Sequence, residues 1–137
     1  MSELIAGNTY SAKQMNEFIG GKHQGGIRYS GNFPELKRIG VIIGGGADAI
    51  YDDEVRRKSI TYVGEGQLAD QRLTFGNRAL VWAHFNDQQV HVFVNEGKNR
   101  YRYLGSHSVV GVSATTAQDR NENQRGAFTF DLVSTDA

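Results

Sequence analysis

Aromatic and acidic residues in the middle of the chain have the types and spacing of a pocket for a planar polar ligand. Tyr51 and Tyr62 could sandwich a flat ring, because aromatic faces stack on any nucleobase and each such contact is worth about 1–3 kcal/mol. A carboxylate of Asp52, Asp53 or Glu54 could accept a hydrogen bond from an exocyclic amine, the contact by which acidic side chains recognise cytosine. The rings would supply affinity, and the carboxylate would supply selectivity.

Glycines surround these residues, as a run at 44–46 and singly at Gly64 and Gly66. A residue without a Cβ atom lets a backbone amide approach the edge of a ring closely. Glycine and aspartate are also common where strands end in turns. Turn chemistry combined with two core tyrosines is therefore the alternative explanation, and the residues alone leave both open.

The distribution of charge allows contacts with phosphates without indicating a nonspecific nucleic-acid coat. The formal net charge is zero, with 15 basic and 15 acidic residues, whereas nonspecific coats are usually strongly basic. Between positions 20 and 40, however, Glu35 is the single carboxylate among several basic residues. Such clusters also occur on ordinary solvated faces. The candidates for contacts with phosphates are Arg28, Lys37, Arg38 and Arg78.

Length and composition fit one domain with one modest core, since the chain has 137 residues of which 39% are hydrophobic. The absence of cysteine excludes disulfides, cysteine zinc sites and cysteine nucleophiles. The sequence shows neither the pattern of a signal peptide nor an apolar run long enough to span a membrane. We therefore expect a cytoplasmic protein with no membrane partner.

Two short helices are predicted. Ser11 and Gln14 have the spacing of a capping box, and the helix that they begin should stop at Gly20. Thr74 can cap a second helix, although Gly76 weakens its first turn. The apolar residues expected to pack inward are Met15, Phe18 and Ile19 in the first helix and Leu80, Val81 and Trp82 in the second.

The rest of the regular structure is predicted to be β. The predicted strands are 39–43, 60–63, 90–94, 100–104, 108–112 and 127–133. We expect 60–63 to pair with 39–43, and 95–99 to form the loop of a hairpin. The intervals between strands are too short for repeated βαβ units. The sequence therefore predicts an α+β fold with a curled antiparallel or mixed sheet, partly closed as a barrel, and two short helices.

The order of several motifs resembles the SRA domain, also called the YDG domain. These motifs are Gly44-Gly-Gly, Tyr51-Asp-Asp, Ile60-Thr-Tyr-Val-Gly-Glu-Gly, Leu73-Thr-Phe-Gly-Asn-Arg-Ala-Leu80 and Arg125-Gly-Ala-Phe-Thr-Phe-Asp-Leu132. The chain is similar in particular to the N-terminal SRA-like domain of bacterial McrA-type HNH restriction endonucleases. That similarity includes Tyr10, Gly25-Gly-Ile-Arg28, Gly64-Glu-Gly-Gln67 and Asp119-Arg120. It covers nearly the whole chain, so we expect a single SRA-like DNA-binding domain over residues 1–137.

The resemblance implies a PUA-like fold that binds duplex DNA containing 5-methylcytosine or 5-hydroxymethylcytosine and flips the modified base into a pocket. The implied roles are stacking by Tyr51 and Tyr62, acceptance of a hydrogen bond by Asp53, and backbone contacts near Gly45, Gly46 and Val63. Asp52 and Glu54 compete for the role of Asp53, because the spacing between the two tyrosines is one residue shorter than in eukaryotic members. The resemblance also implies a bacterial, nucleoid-associated protein of a type IV restriction system.

Two departures from the family pattern concern the rim of the site. Leu104 stands where the family signature has an aspartate. Only Leu68 and Ala69 separate Gln67 from Asp70, so the long loop that eukaryotic relatives insert into the duplex is very short here.

Two other functional classes remain open. The carboxylates between Asp52 and Asp70 could hold divalent metals for phosphodiester cleavage, although adjacent carboxylates on one strand point to opposite faces. The four histidines do not form an HExxH motif. A PUA-like module for RNA or for a protein partner is the other alternative. We expect no catalytic residues, no cofactor and no metal, with any cleavage coming from an HNH or other nuclease domain or subunit.

Overall fold

The computed structural model describes residues 4–21, 26–33, 35–44, 54–56, 59–63, 75–118 and 124–135. In chain order the elements are β1 (Thr9–Tyr10), α1 (Ala12–Ile19), β2 (Ile27–Asn32), β3 (Glu35–Ile43), β4 (Glu54–Arg56), β5 (Ser59–Val63), α2 (Phe75–Asn86), β6 (Val90–Gly97), β7 (Arg100–Gln118) and β8 (Gln124–Ser134). The prediction of a mostly β domain with two helices is confirmed within these ranges. Neither helix is long and apolar enough to cross a membrane.

The strands form one mixed sheet in the order β2-β3-β6-β7-β8-β5-β4, with β1 added against β7. All described pairs are antiparallel except β3 with β6, which run parallel from Gly40↔His91 to Ile43↔Val94. The predicted pairing of 60–63 with 39–43 is wrong, because β5 pairs with β4 and β8. Both edges of β3 are already occupied by β2 and β6, so no ladder position is left for β5.

The hairpin between β6 and β7 is confirmed, but its loop is shorter than predicted. The strands extend to Gly97 and Arg100, which leaves Lys98 and Asn99 as a two-residue turn. Asn99 has a φ of 60°, a left-handed conformation that asparagine tolerates in tight hairpins. The Oδ1 atom of Asn95 accepts from the backbone N–H of Gly97 at 3.0 Å, which stabilises the approach to the turn.

The segments predicted as separate strands at 100–104 and 108–112 belong to the single long strand β7. Opposite β6, Tyr103 pairs with Phe93 and Gly105 pairs with Val92, so Leu104 is an extra residue in the ladder. Gly105 has a φ of 100°, which a residue with a side chain rarely adopts. A glycine that interrupts a strand pattern thus marks a bulge here, and the strand continues through it.

The first helix is stabilised locally as the sequence predicts. The backbone N–H of Gln14 donates to Ser11 Oγ at 3.1 Å, and the backbone N–H of Ser11 donates to Gln14 Oε1 at 2.9 Å. These two bonds form the predicted capping box. Gly20 follows the last turn with a φ of 78°. The predicted cap of the second helix, Thr74, lies outside the described residues.

Each helix covers one face of the sheet, and a separate apolar cluster lies under each. The α2 face carries the main cluster, which includes Ile39, Val41, Ile60, Tyr62, Leu80, Val92, Phe130 and Leu132. The α1 face carries the small cluster, formed by Met15, Phe18, Ile19, Phe93 and Tyr103. Alternation along the strands explains the division, since successive side chains point to opposite faces. The alternation predicted for β8 is confirmed, because the three apolar residues that it places on one face all pack in or against the main cluster: Phe128, Phe130 and Leu132.

The first helix lies very close to the sheet at Gly40. A Cβ atom at this position would lie 2.3 Å from Ile19 Cδ1 and 2.9 Å from Ile19 Cγ1. Ile19 is buried, so its side chain has little space into which to move. The missing side chain of Gly40 therefore sets the distance between α1 and β3.

The sheet curls toward the α2 face. Gly26 directly precedes β2, and a Cβ atom on it would lie 2.4 Å from the hydroxyl of Tyr62 in β5, although β2 and β5 are far apart in the strand order. Curling is thus as predicted. Within the described residues, however, the strand order runs from β2 to β4 without closing, so the partly closed barrel stays unconfirmed.

Candidate functional site

Three of the predicted pocket residues lie on the paired strands β4 and β5. Glu54 begins β4, and Tyr62 and Val63 end β5. The register pairs Glu54 with Thr61, and Val63 with Thr129 of β8. The backbone therefore places Glu54 beside the last residues of β5. The other predicted pocket residues, Gly45, Gly46, Tyr51, Asp52 and Asp53, lie outside the described residues.

The side chain of Tyr62 is 1% exposed and belongs to the main cluster. Its hydroxyl lies against the backbone of Gly26. A base could stack on this ring only after neighbouring atoms move, so the geometry agrees with the alternative of a core tyrosine. Its proposed contact with a base stays a prediction.

Arg78 is exposed on α2 and rests on an aromatic platform formed by Tyr29, Phe33 and Trp82. Its guanidinium carbon lies 4.0 Å from the centroid of the Phe33 ring. The Phe33 ring in turn lies 5.7 Å from Tyr29 and 5.9 Å from Trp82, centroid to centroid. A guanidinium within about 6 Å of a ring centroid is attracted by the ring quadrupole, which favours this position of the Arg78 side chain. Sequence reasoning missed this platform, because the three rings come from β2, the turn after it and α2.

A glutamine couples the platform to the sheet. Trp82 Nε1 donates to Gln88 Oε1 at 3.0 Å, and Gln88 Nε2 donates to the backbone oxygen of Leu36 at 3.0 Å. Lys37, the next residue of β3, is exposed where the ladder with β2 shifts register. Gln88 therefore connects the platform to the backbone of β3 one residue before Lys37. The pairing of Trp82 with Gln88 had no detectable signal in the sequence.

The other two predicted phosphate contacts, Arg28 and Arg38, are engaged with α1. Arg28 Nη1 donates to Asn16 Oδ1 at 2.5 Å. Arg38 Nη1 donates to the backbone oxygen of Phe18, and its guanidinium carbon lies 4.2 Å from the centroid of the Phe18 ring. Phe18 is in the last turn, where carbonyl groups lack partners in the helix and the helix dipole favours a cation. Both arginines thus hold α1 on the sheet.

The described residues contain no group of three or more histidine, aspartate or glutamate side chains placed to hold a metal ion. The predicted acidic cluster falls largely outside these residues.

The fold is thus a mixed sheet that curls over α2 and carries α1 on its outer face. A family model described as the SRA domain of ScoMcrA-like proteins matches residues 6–137. This chain belongs to the ScoMcrA-like SRA domain family. The predicted resemblance to the SRA domain of McrA-type proteins is thereby confirmed. A comparison with curated protein sequences found no match.

Solved structures show the same SRA fold. The sulfur-binding and SRA domains of ScoMcrA, complexed with phosphorothioated DNA, superpose with a TM-score of 0.76 at 18% identity over 98% of this chain and 41% of that one. The SRA domain of SUVH5 in a complex with hemimethylated CG DNA superposes with a TM-score of 0.78 at 24% identity over 99% of this chain and 92% of that one. A structure of the type IV restriction endonuclease ScoMcrA has a TM-score of 0.74 at 18% identity, and this chain spans 29% of it.

The SRA domain described here thus spans less than half of each ScoMcrA chain, but nearly all of the SUVH5 domain. At these identities, the similarity establishes the fold alone.

Proposed function

We propose that this SRA domain binds duplex DNA containing a modified cytosine and rotates the modified base out of the helix into a pocket between β4, β5 and the segment before β4. The observation that carries the proposal is the family match over residues 6–137. Members of this fold have been solved on modified DNA, phosphorothioated for ScoMcrA and methylated for SUVH5. We propose 5-methylcytosine or 5-hydroxymethylcytosine as the recognised base.

In the proposed pocket, Tyr51 stacks on the flipped base and Asp53 accepts a hydrogen bond from its exocyclic amine. Asp52 and Glu54 are the alternatives for the acceptor. Tyr62 forms the inner wall of the pocket, and its burial supports this role. It would stack on the base only after neighbouring atoms move. Extruding a base costs a few kcal/mol, so stacking and the amine contact must together exceed that cost.

Contacts with the DNA backbone are proposed for Arg78 and Lys37, with Arg28 and Arg38 left to hold α1. The support is geometric. Arg78 is exposed and oriented by the aromatic platform, whereas each of the other two arginines donates a hydrogen bond to α1. Such contacts position the duplex and contribute little sequence information.

The domain is proposed to recognise DNA without cleaving it, as the recognition module of a modification-dependent restriction system. SRA domains are recognition modules, and ScoMcrA is a restriction endonuclease of which this chain matches a minor part. Cleavage would then come from an HNH or other nuclease domain or subunit. We propose residues 1–137 as one DNA-binding domain.

The proposal is tested by fluorescence anisotropy with matched duplexes that carry one central cytosine, 5-methylcytosine or 5-hydroxymethylcytosine. A fourth duplex carries one phosphorothioate linkage and plain cytosine. Salt near physiological strength suppresses nonspecific phosphate binding. A preference for one modified-cytosine duplex is expected. A single-stranded RNA of the same sequence is the fifth probe. Preference for the phosphorothioate duplex alone would replace the proposed ligand, and preference for the RNA would support the alternative function.

Base flipping is tested separately with 2-aminopurine as the base next to the modified cytosine on the same strand. Extrusion of the cytosine removes a stacking neighbour of the probe, and the fluorescence of the probe should rise when protein is added. Asp53→Ala should remove the preference for modified DNA, whereas Lys37→Ala should weaken binding to modified and plain duplexes about equally. Retained discrimination in Asp53→Ala, Asp52→Ala and Glu54→Ala alike would contradict the acidic pocket.

A further inference from the structure

Gln88 lies just before β6 and connects α2 to β3. Its backbone N–H donates to the backbone oxygen of Ala83 at 3.1 Å, which ties it to the last turn of α2. Its side chain accepts from Trp82 Nε1 and donates to the backbone oxygen of Leu36, both at 3.0 Å. The side-chain amide therefore uses its acceptor on the helix and its donor on the strand. Both bonds are partly buried, so a lost partner costs more there than at the surface.

The connection to the helix leads to Arg78. Arg78 and Trp82 are four residues apart in α2 and therefore lie on the same side of the helix. Phe33 contacts both of them, since its ring centroid lies 5.9 Å from that of Trp82 and 4.0 Å from the guanidinium carbon of Arg78. Gln88 fixes the orientation of the indole by accepting from its N–H, the indole packs against Phe33, and Phe33 is the surface on which Arg78 lies.

The connection to the strand leads to Lys37. Opposite β2, Lys37 is an extra residue between the pairs Ser30↔Arg38 and Gly31↔Leu36, which makes it a β-bulge. Gly31 has a φ of 86°, and a Cβ atom on it would lie 2.8 Å from the backbone nitrogen of Lys37. Bulges change the direction of a side chain and are common next to functional sites. The glutamine holds the backbone oxygen of the residue that directly precedes this bulge.

Arg78 and Lys37 are the exposed cations proposed above to contact phosphates. A long side chain binds more tightly when the atoms that carry it are already fixed, because less conformational entropy is lost. We infer that Gln88 is a positioning residue for the DNA backbone, which fixes the supports of both cations through Trp82 and Leu36 before a duplex binds. This inference rests on the proposed function. Gln88 acts through the two cations and is not itself a contact with DNA.

Gln88→Met tests the inference by anisotropy with the modified duplex, because methionine has a similar length and lacks both hydrogen-bonding groups. The affinity should fall by about threefold or more, and the slope of log K against log salt should become less steep. In a background that lacks both cations, Arg78→Gln with Lys37→Ala, the same change should alter the affinity by less than about 1.5-fold. Lower salt keeps the binding of this background measurable.

The matched control is Gln89→Met, which changes the exposed neighbouring residue and should alter the affinity by less than about 1.5-fold. A role in stability alone would not depend on the presence of the cations. Equal losses of affinity from Gln88→Met in the two backgrounds would therefore overturn the inference.

Trp82 is the only tryptophan of the chain, so its indole N–H gives a single NMR resonance. In Gln88→Met this resonance should shift and its proton should exchange faster with solvent, whereas Gln89→Met should leave both unchanged. If Gln88→Met fails to fold, Trp82→Phe removes the same hydrogen bond but keeps an aromatic ring beside Phe33, and it should weaken binding by about threefold. Unchanged affinity in Trp82→Phe, or an unchanged indole resonance in Gln88→Met, would contradict the assignment.

The same measurements distinguish a failure of this inference from a failure of the proposed function. If the unmodified protein prefers a modified-cytosine duplex and the cation variants weaken that binding, but Gln88→Met does not, Gln88 has no positioning role and the proposed function stands. If the cation variants leave binding unchanged, the inference again fails alone. If the unmodified protein binds none of the duplexes, the proposed function fails and the inference fails with it.

Discussion

The two faces of the sheet use similar residues for different purposes. On the α2 face, Arg78 lies exposed on aromatic rings at the edge of a large apolar cluster. On the α1 face, Arg28 and Arg38 donate to a helix that covers a smaller cluster. A short helix over a small cluster gains less from apolar burial, and hydrogen bonds from cations supply part of what holds it. The position of an arginine relative to a helix therefore decides whether it is available to a ligand.

The largest expected effect concerns the main cluster. Phe130 is 0% exposed on β8, so Phe130→Ala should lower the free energy of unfolding by about 3–5 kcal/mol. Phe85 of α2, which is 76% exposed, is the control, and Phe85→Ala should change the free energy of unfolding by less than about 0.5 kcal/mol. Urea denaturation followed by circular dichroism measures both. Similar losses would show that the α2 face is not packed as described.

Overpacking at Gly40 tests how closely α1 approaches the sheet. Gly40→Ala should cost about 1–3 kcal/mol, because the added methyl meets the buried side chain of Ile19. In the double variant with Ile19→Ala, the loss of unfolding free energy should be smaller than the sum of the two single losses, since Ile19→Ala removes the clash. Gly111→Ala is the control, because the atoms nearest to the new methyl belong to the exposed side chain of Asp131, with Oδ2 at 2.9 Å. Additive losses in the double variant would argue against the contact.

Acid should destabilise the protein through His91 of the α1 face. In the folded protein the pKa of His91 is lowered to about 4, whereas its ordinary value is 6.5. Between these values the unfolded chain binds a proton that the folded protein does not, so stability falls as pH drops from 6.5 to 4. One pKa unit corresponds to about 1.4 kcal/mol, and allowing for partial exposure the loss should be about 1–3 kcal/mol.

The comparison for this pH effect is His91→Gln, which should flatten the dependence of stability on pH in that interval. Thermal melts at several pH values measure it. Identical pH profiles for the two proteins would mean that other groups cause the acid loss.

The smallest expected effect separates the two classes of arginine directly. Arg78→Gln should weaken binding to modified and plain duplexes several-fold and reduce the slope of log K against log salt by about 1, as expected for one lost phosphate contact. Arg28→Gln should leave binding unchanged and lower the melting temperature instead. Anisotropy at several salt concentrations, combined with melts, gives both quantities. If Arg28→Gln weakened DNA binding and Arg78→Gln only lowered the melting temperature, the roles assigned to the two faces would be wrong.

Local interactions account for the features that the sequence predicted correctly. The capping box of Ser11 and Gln14 joins residues three apart, and the hairpin after β6 closes through two residues. The alternation of Phe128, Phe130 and Leu132 depends only on the period of a strand. The order of the SRA motifs identified the family because it samples the whole chain at once.

Interactions between residues far apart in the sequence account for the features that the sequence did not predict. Ile39 to Ile43 and Ile60 to Val63 both suit a buried strand, and only competition for sheet edges assigns the second to β8. The burial of Tyr62 depends on curling that brings Gly26 against it. Arg38 and Arg78 look alike in the sequence, but Arg38 donates to the last turn of α1, whereas Arg78 lies on α2 over the Phe33 ring.

Because β3 and β6 run parallel, residues 44–89 form a crossover that leaves one end of their ladder after Ile43 and returns to the other end before Val90. This stretch contains every residue predicted to line the base pocket. The entropy of closing a loop grows slowly with its length, by only about 0.6 kcal/mol for each doubling. Insertions and deletions in surface parts of the stretch therefore cost the ladder little. An SRA domain built this way can evolve the length and chemistry of its pocket segments while the pairing of β6, β7 and β8 stays intact.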